Sequence, residues 1–132
     1  MKSCTDLEQS RKLAKILPLE SADMWYCNEN PNKITVGKWE DNKHDEDDIP
    51  CWSLAALIDV LPADWWGYSE HYFLEISKMG DASKPNEVRY FRFRKDIDGA
   101  NYGRITHISH SAENLVDACV SMIELLHELK ML

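Results

Sequence analysis

The chain has 132 residues, 44% apolar and 29% charged, a balance that excludes a disordered or fibrous chain and suffices for one domain with its own core. Its longest unbroken apolar run, Leu54 to Ile58, falls far short of the roughly 20 residues that span a bilayer, and Met1 to Asp6 holds no apolar signal-peptide core, so a cytoplasmic protein without membrane contact is expected. Fifteen basic against 23 acidic residues leave a net charge of −8, which argues against nucleic acid as a partner of the whole surface, although Arg89, Arg92, Arg94 and Lys95 crowd one segment.

Taken in chain order, the first signal is Thr5 followed by Glu8, the spacing of a capping box. Leu13, Ile16 and Leu17 continue at helical spacing, with Leu7 joining the same face, until Pro18 removes the next backbone donor; the pattern predicts a helix over 6–17. Met24, Trp25 and Tyr26 are apolar enough to pack. Ile34, Thr35 and Val36, bounded by Pro31 and Gly37, predict a short strand near 33–39. From Glu40 to Asp48 six of nine residues are acidic, the composition of a solvated loop. Pro50 precedes a second helix, from Trp52 or Ser53 to Leu61, with Leu54, Leu57, Ile58 and Leu61 on one face. Both helices stop at a Leu-Pro pair and lead to an aromatic pair, Trp25-Tyr26 and Trp65-Trp66; segments this short match by chance more readily than by duplication.

The second half changes period. Tyr72, Leu74 and Ile76 alternate with Glu75 and Ser77, a half-buried strand over 72–78. A turn-rich stretch, 79–87, leads to 88–95, where Phe91 and Phe93 alternate with Tyr90, Arg92 and Arg94; the two segments read as an antiparallel hairpin with a long loop. Asp98, Gly99, Asn101 and Gly103 mark another turn, and 104–109 adds a third strand. Ser111 is a natural N-cap for a helix over 112–130, in which Leu115, Cys119, Met122, Ile123, Leu126 and Leu129 trace one stripe that Val116 and Val120 widen. Because helices and hairpins are segregated, the expected fold class is α+β: one domain, 1–132, with a small antiparallel sheet of two to four strands covered by three helices, the C-terminal one longest.

Few residues offer chemistry. Cys51 lies just before the second helix, where the helix dipole can lower a thiol pKa, and His71 would serve it as a base; without a third orienting residue, inert packing beside Trp52 is the plainer reading. Cys4, Cys27, Cys51 and Cys119 stand apart, with neither a C-x-x-C pair nor a nearby His, which speaks against structural zinc and for reduced thiols. His107 and His110, three apart, match one half of a metal site whose only formal third ligand is Asp117; exposed or capping imidazoles are the more common outcome. Asp45, Glu46, Asp47 and Asp48 suit a hard cation or a mimic of the phosphate backbone, but the EF-hand spacing is missing and charge runs are mostly solvated. Trp65, Trp66 and Tyr68 follow Pro62 in an apparent loop and are interaction candidates, with packing against the hairpin the favoured fate. Phosphate-binding glycine loops, paired catalytic carboxylates and G-x-S-x-G are missing from the sequence, and no cofactor is expected.

Three blocks carry a resemblance. They are Gln9-Ser10-x-Lys12-Leu13-Ala14-x-Ile16-Leu17-Pro18 with Ser21-Ala22-Asp23-Met24, then Pro50-Cys51-Trp52-Ser53-Leu54-Ala55-Ala56-Leu57 with Leu61-Pro62, and Asn114-Leu115-Val116-Asp117-Ala118-Cys119-Val120-x-Met122-Ile123. Together they resemble a family of short hypothetical proteins carried in prophages and mobile elements of gut bacteria. The resemblance implies a bacterial or phage-derived accessory protein and implies no reaction and no site residues. The expected function is therefore a non-enzymatic protein-interaction module, its partner another protein or a second copy of itself. The alternatives are an acidic nucleic-acid mimic that inhibits a DNA-binding protein, and a small thiol- or His-dependent enzyme.

Overall fold

Asp6, not Thr5, opens the first helix. Its carboxylate accepts the Gln9 backbone N–H at 2.8 Å while the Gln9 side chain accepts from the Asp6 N–H, a complete capping box one residue later than the sequence spacing suggests. Thr5 is instead fully buried: its hydroxyl lies 2.7 Å from that of Ser10 and accepts from the Trp52 N–H. The computed structural model describes residues 2–27, 30, 32–37, 47–67, 70–78, 86–95 and 102–132. The acidic stretch up to Glu46, the turn residues 79–85 and 96–101, and Tyr68 lie outside the described residues.

Helix α1 (Leu7–Leu13) runs shorter than the 6–17 expected; tighter turns carry the chain from Ala14 to Leu17, and Pro18 begins a 3-10 turn over Leu19–Ser21. Strands β1 (Met24–Tyr26), β2 (Ile34–Val36) and β3 (Ile49–Cys51) form a three-stranded antiparallel sheet in the order β2-β1-β3. Gly37 follows β2 at a φ of 148°, a backbone conformation that glycine adopts without strain, and its N–H reaches the Asp23 carbonyl. Helix α2 (Leu54–Val60) is capped by Ser53, whose hydroxyl accepts from the Ala56 N–H and donates to Asp23.

Strands β4 (Asp64–Gly67), β5 (Glu70–Ser77), β6 (Asn86–Lys95) and β7 (Tyr102–Ala112) form a four-stranded antiparallel meander in that order. Trp65 and Trp66 are therefore strand residues, not loop residues. Strand β7 outruns the expected 104–109 because its pairing with β6 continues to Ala112, opposite Asn86; Ser111 is spent in that ladder opposite Glu87. The cap of α3 (Leu115–Glu128) is Asn114, which accepts from the Asp117 N–H at 2.8 Å.

The fold class is α+β with the C-terminal helix longest, as the sequence indicates, but with two sheets in place of one and a different covering. Helix α3 packs on β6 and β7, α2 packs on α3, and α1 packs on β3 and α3. The last helix is thus a middle layer. That position explains its wide stripe: Val116, Ala118, Cys119, Val120, Met122, Ile123 and Leu126 are all buried. From the sheet it meets Val88 and Tyr90, from the other helices Leu13 and Leu57, and from the link between β3 and α2 Trp52, all fully buried in the same core.

Candidate functional site

Side chains alternate across a strand, so the meander has two faces. Toward α3 it turns Trp65, Tyr72, Leu74, Ile76, Val88, Tyr90 and Ile108. The opposite face carries Asp64 and Trp66 from β4, His71, Phe73 and Glu75 from β5, Arg89, Phe91 and Phe93 from β6, and Arg104 and Thr106 from β7. Helix α3 packs on β6 and β7 from the first side.

The outer rings form a connected patch. Trp66 stacks on His71 at 4.2 Å between centroids with 15° between planes, and Phe73 meets His71 at 4.2 Å, Phe93 at 5.6 Å and Phe91 at 6.0 Å. Phe91 and Phe93 meet edge to face at 5.3 Å. Register explains the cluster, because Trp66 faces His71 and Phe73 faces Phe91 across the ladders. The patch is graded in exposure: Phe91 is 6% exposed, Phe93 45% and Trp66 70%. Phe91 owes its cover to charge. The guanidinium groups of Arg89 and Arg104 lie 5.6 and 4.9 Å from its ring centroid, and both bond to Glu75, Arg89 through Nε and Nη2 at 3.0 and 2.6 Å. His71 closes the other edge, its Nε2 2.6 Å from Asp64 Oδ2. On this face the charges pair with one another, so the two arginines do not form a free phosphate-binding patch.

The remaining sequence candidates are placed apart from this patch. Cys51 is fully buried in β3, bonded through sulfur to Thr5, and burial pushes its thiol up to about 11; burial does the same to Cys119. His71 sits on the outer face of the other sheet, so the structure does not bring it to Cys51. His107 lies at a bulge in β7, between Ile108 opposite Tyr90 and Thr106 opposite Phe91, and rests on the rings of Tyr72 and Trp65 at 4.7 and 6.4 Å. His110 pairs with Val88 further along. Asp117, the formal third ligand, belongs elsewhere: it accepts from Lys2 Nζ at 2.7 Å, Gln9 Nε2 at 2.8 Å and Asn114 Nδ2 at 2.9 Å. Burial opposes its ionisation, and these hydrogen bonds outweigh that, holding its carboxyl below the ordinary carboxylate value. Among the described residues, no group of three His, Cys, Asp or Glu side chains is arranged to hold a metal ion. Of the acidic run, Asp47 is exposed and Asp48 buried. An open groove between the 3-10 turn and α2 is lined by Glu20, Asp23 and Asp59, but Asp23 is already bonded to Ser53.

Sequence reading reached Trp66 but not its partners. The cue was available in the apolar residues on both faces of β5 and β6, Leu74 and Ile76 against Phe73, and Val88 and Tyr90 against Phe91 and Phe93. No protein-family model, no curated protein and no solved structure matches the chain. No helix among the described residues is long and apolar enough to cross a membrane.

Proposed function

We propose that this chain is a non-enzymatic protein-interaction module whose working surface is the outer face of the four-stranded sheet. The observation that carries the reading is the cluster of Trp66, His71, Phe73, Phe91 and Phe93, which rises from a buried Phe91 to a half-exposed Phe93 and a tryptophan that leaves 70% of its surface to solvent. Aromatic and arginine side chains together are the composition of interface centres, where a rigid ring supplies large contact area at low entropic cost. Carboxylates already neutralise the guanidinium groups beside the rings, which favours a protein surface over a polyanion. The buried Cys51, with its raised thiol pKa, supports a structural role for that residue over a nucleophilic one. In this reading the chain is a cytoplasmic accessory protein of the prophage-borne kind that its three sequence blocks resemble.

The test is quantitative capture by the immobilised chain from extracts of the cells that carry its gene, with wild type beside the Trp66→Ala/Phe93→Ala double variant. A partner retained by wild type and lost at least tenfold by the folded variant is the expected result. Equal capture by both, or turnover of a substrate dependent on a thiol at Cys51, overturns the reading.

A further inference from the structure

We propose that the partner of the aromatic face is a second copy of the same chain, docked face to face about a two-fold axis parallel to the strands. The inference rests on the interaction reading above and adds its occupant. It follows from the order of side chains across the sheet. One level reads Asp64, Phe73, Phe91, Thr106 from β4 to β7. Continuing the register two residues along each strand, the next level reads Trp66, His71, Phe93, Arg104. On the other side of the first level, Glu75 faces Arg89 and then Ser109.

A two-fold axis along the strands lays β4 over the partner's β7 and β5 over the partner's β6. The interface is isologous, so each pairing occurs twice. Trp66 then meets Arg104 of the second copy, Phe73 meets the guanidinium groups that cover Phe91, His71 meets Phe93, Glu75 meets Arg89, and Asp64 meets Thr106. Every level brings ring to ring, ring to cation, or acid to base or hydroxyl, and none opposes like charges. Arg104 has one guanidinium face on its own Phe91 and is half exposed, so the other face is free for a tryptophan. The perpendicular two-fold axis would lay each strand on its own counterpart and pair the level it passes through with itself: Asp64 on Asp64, or Glu75 on Glu75 with Arg89 on Arg89, or Arg104 on Arg104, like-charge contacts that the first arrangement avoids.

The whole-chain charge opposes self-association elsewhere and leaves a face of mixed charge as the place for it. At −8, two copies repel over most of their surface, and the approach is tolerated where acids and bases alternate. The area is adequate. Four strands at about 4.8 Å spacing and eight residues at about 3.3 Å cover roughly 500 Å² in plan, and projecting side chains raise the accessible area toward the ~800 Å² per partner of standard interfaces.

Sedimentation equilibrium of the full chain over about two decades of concentration tests the dimer. The mass is expected to rise from 15.3 kDa toward twice that value, and Trp66→Ala and Arg104→Glu are each expected to raise the dissociation constant about tenfold or more. Val36→Glu, on the other sheet at a residue 75% exposed, serves as the folded control and leaves dimerisation unchanged. The axis is tested with a bis-maleimide reagent spanning about 10 Å, the spacing of facing sheets, in a Cys4→Ser/Cys27→Ser background. Trp66→Cys mixed with Arg104→Cys is joined into covalent dimers, and either variant alone is not, because equivalent positions of the two copies are offset by three strand spacings (about 14 Å) in addition to the gap between the sheets. Circular dichroism of each variant keeps a folding defect from passing as a lost dimer. A chain monomeric throughout the range, or a dimer indifferent to Trp66 and Arg104, overturns the inference. If the chain is monomeric while Trp66→Ala/Phe93→Ala still abolishes capture of another protein, the dimer is wrong and the interaction reading stands. A monomer that binds a labelled single-stranded oligonucleotide through Trp66 removes both, since stacked rings then serve bases.

Discussion

On the α3 side of the four-stranded sheet, Trp65, Tyr72 and Tyr90 close ranks: Trp65 stacks on Tyr72 at 5.2 Å and meets Tyr90 at 4.1 Å, and the Tyr90 hydroxyl donates to the Pro62 carbonyl at 2.7 Å. On the other side Trp66, Phe73, Phe91 and Phe93 make ring contacts of similar length, with two guanidinium groups over Phe91 and with Phe93 and Trp66 exposed. Two adjacent tryptophans, one peptide bond apart, thus have opposite fates. Alternation assigns residues to two faces but does not say which face a helix will cover. Exposed rings such as Trp66 and Phe93 on a patch of this kind mark an interaction surface.

The comparison breaks most decisively at the covered face. Ile123 and Leu126 are fully buried in the middle layer, between the sheet and the other two helices. Truncating either to Ala is expected to cost about 2–5 kcal/mol in a denaturant titration, the range for a branched side chain that leaves a cavity. A loss under about 0.5 kcal/mol at both sites would remove α3 from the core.

Trp65→Ala comes next. Its ring is only half-buried, yet it bridges Tyr72, Tyr90 and the His107 imidazole, so a loss of about 2–3 kcal/mol is expected by thermal or urea unfolding. If Trp65→Ala proved as mild as a surface substitution, the distinction between the two faces would be one of geometry without energetic content.

A smaller effect concerns what holds the middle layer to the N-terminal segment. Lys2 binds Asp117 on α3 at 2.7 Å and Asp6 at 3.0 Å. Burial disfavours the Lys2 charge, but its hydrogen bonds to the two carboxylates prevail and raise its pKa above 10.5; Asp117 is lowered below 3.8 by the balance already described. A lowered acid contributes stability that is complete above its unfolded value and is lost as pH falls through its folded value, so this contribution fades below about pH 4. A raised base contributes stability that is complete below its unfolded value and fades as pH rises through its folded value, above about 10.5. Lys2 and Asp117 are 26% and 37% exposed, so screening holds the effect to under about 1 kcal/mol. Urea midpoints at pH 7 and pH 3 should differ less for Asp117→Asn than for wild type, and an unchanged difference would count against the clamp.

Much of the fold was legible where one local pattern suffices. The stripe from Leu115 to Leu126 needs only a period of 3.6, and the alternation of Tyr72, Leu74 and Ile76 needs only a period of 2. Boundaries failed where tertiary pairing overruled a good local signal. Ser111 is an apt cap, but the β6–β7 ladder claims it, and Asn114 three residues on takes the role. The second sheet was hidden for another reason. Strands β1 and β3 have three residues each, and Pro50 sits in β3 opposite Trp25, tolerated because β3 is an edge strand that can spare an N–H. The outer aromatic patch was half visible: Trp66 stood out by size, but its neighbours come from three strands, and only the register joins them.

The smallest expected effect is the most telling for that patch. Trp66 has 70% of its surface in water, and the ring beneath it, His71, keeps Asp64 and Phe73 as partners when the indole is gone. Trp66→Ala is therefore expected to change the unfolding free energy by no more than about 0.5 kcal/mol in dilute solution, where only the monomer contributes. A residue that builds the fold cannot behave so; Trp65 beside it is the internal standard. At concentrations high enough for association the two proteins should part, because a dimer binds native chains and not unfolded ones, and wild type gains stability with concentration while Trp66→Ala does not. Melting curves at two protein concentrations suffice to see it. Equal concentration dependence in both would mean that the exposed tryptophan takes no part in association, and a large loss in dilute solution would mean that the outer face is a second core in its own right.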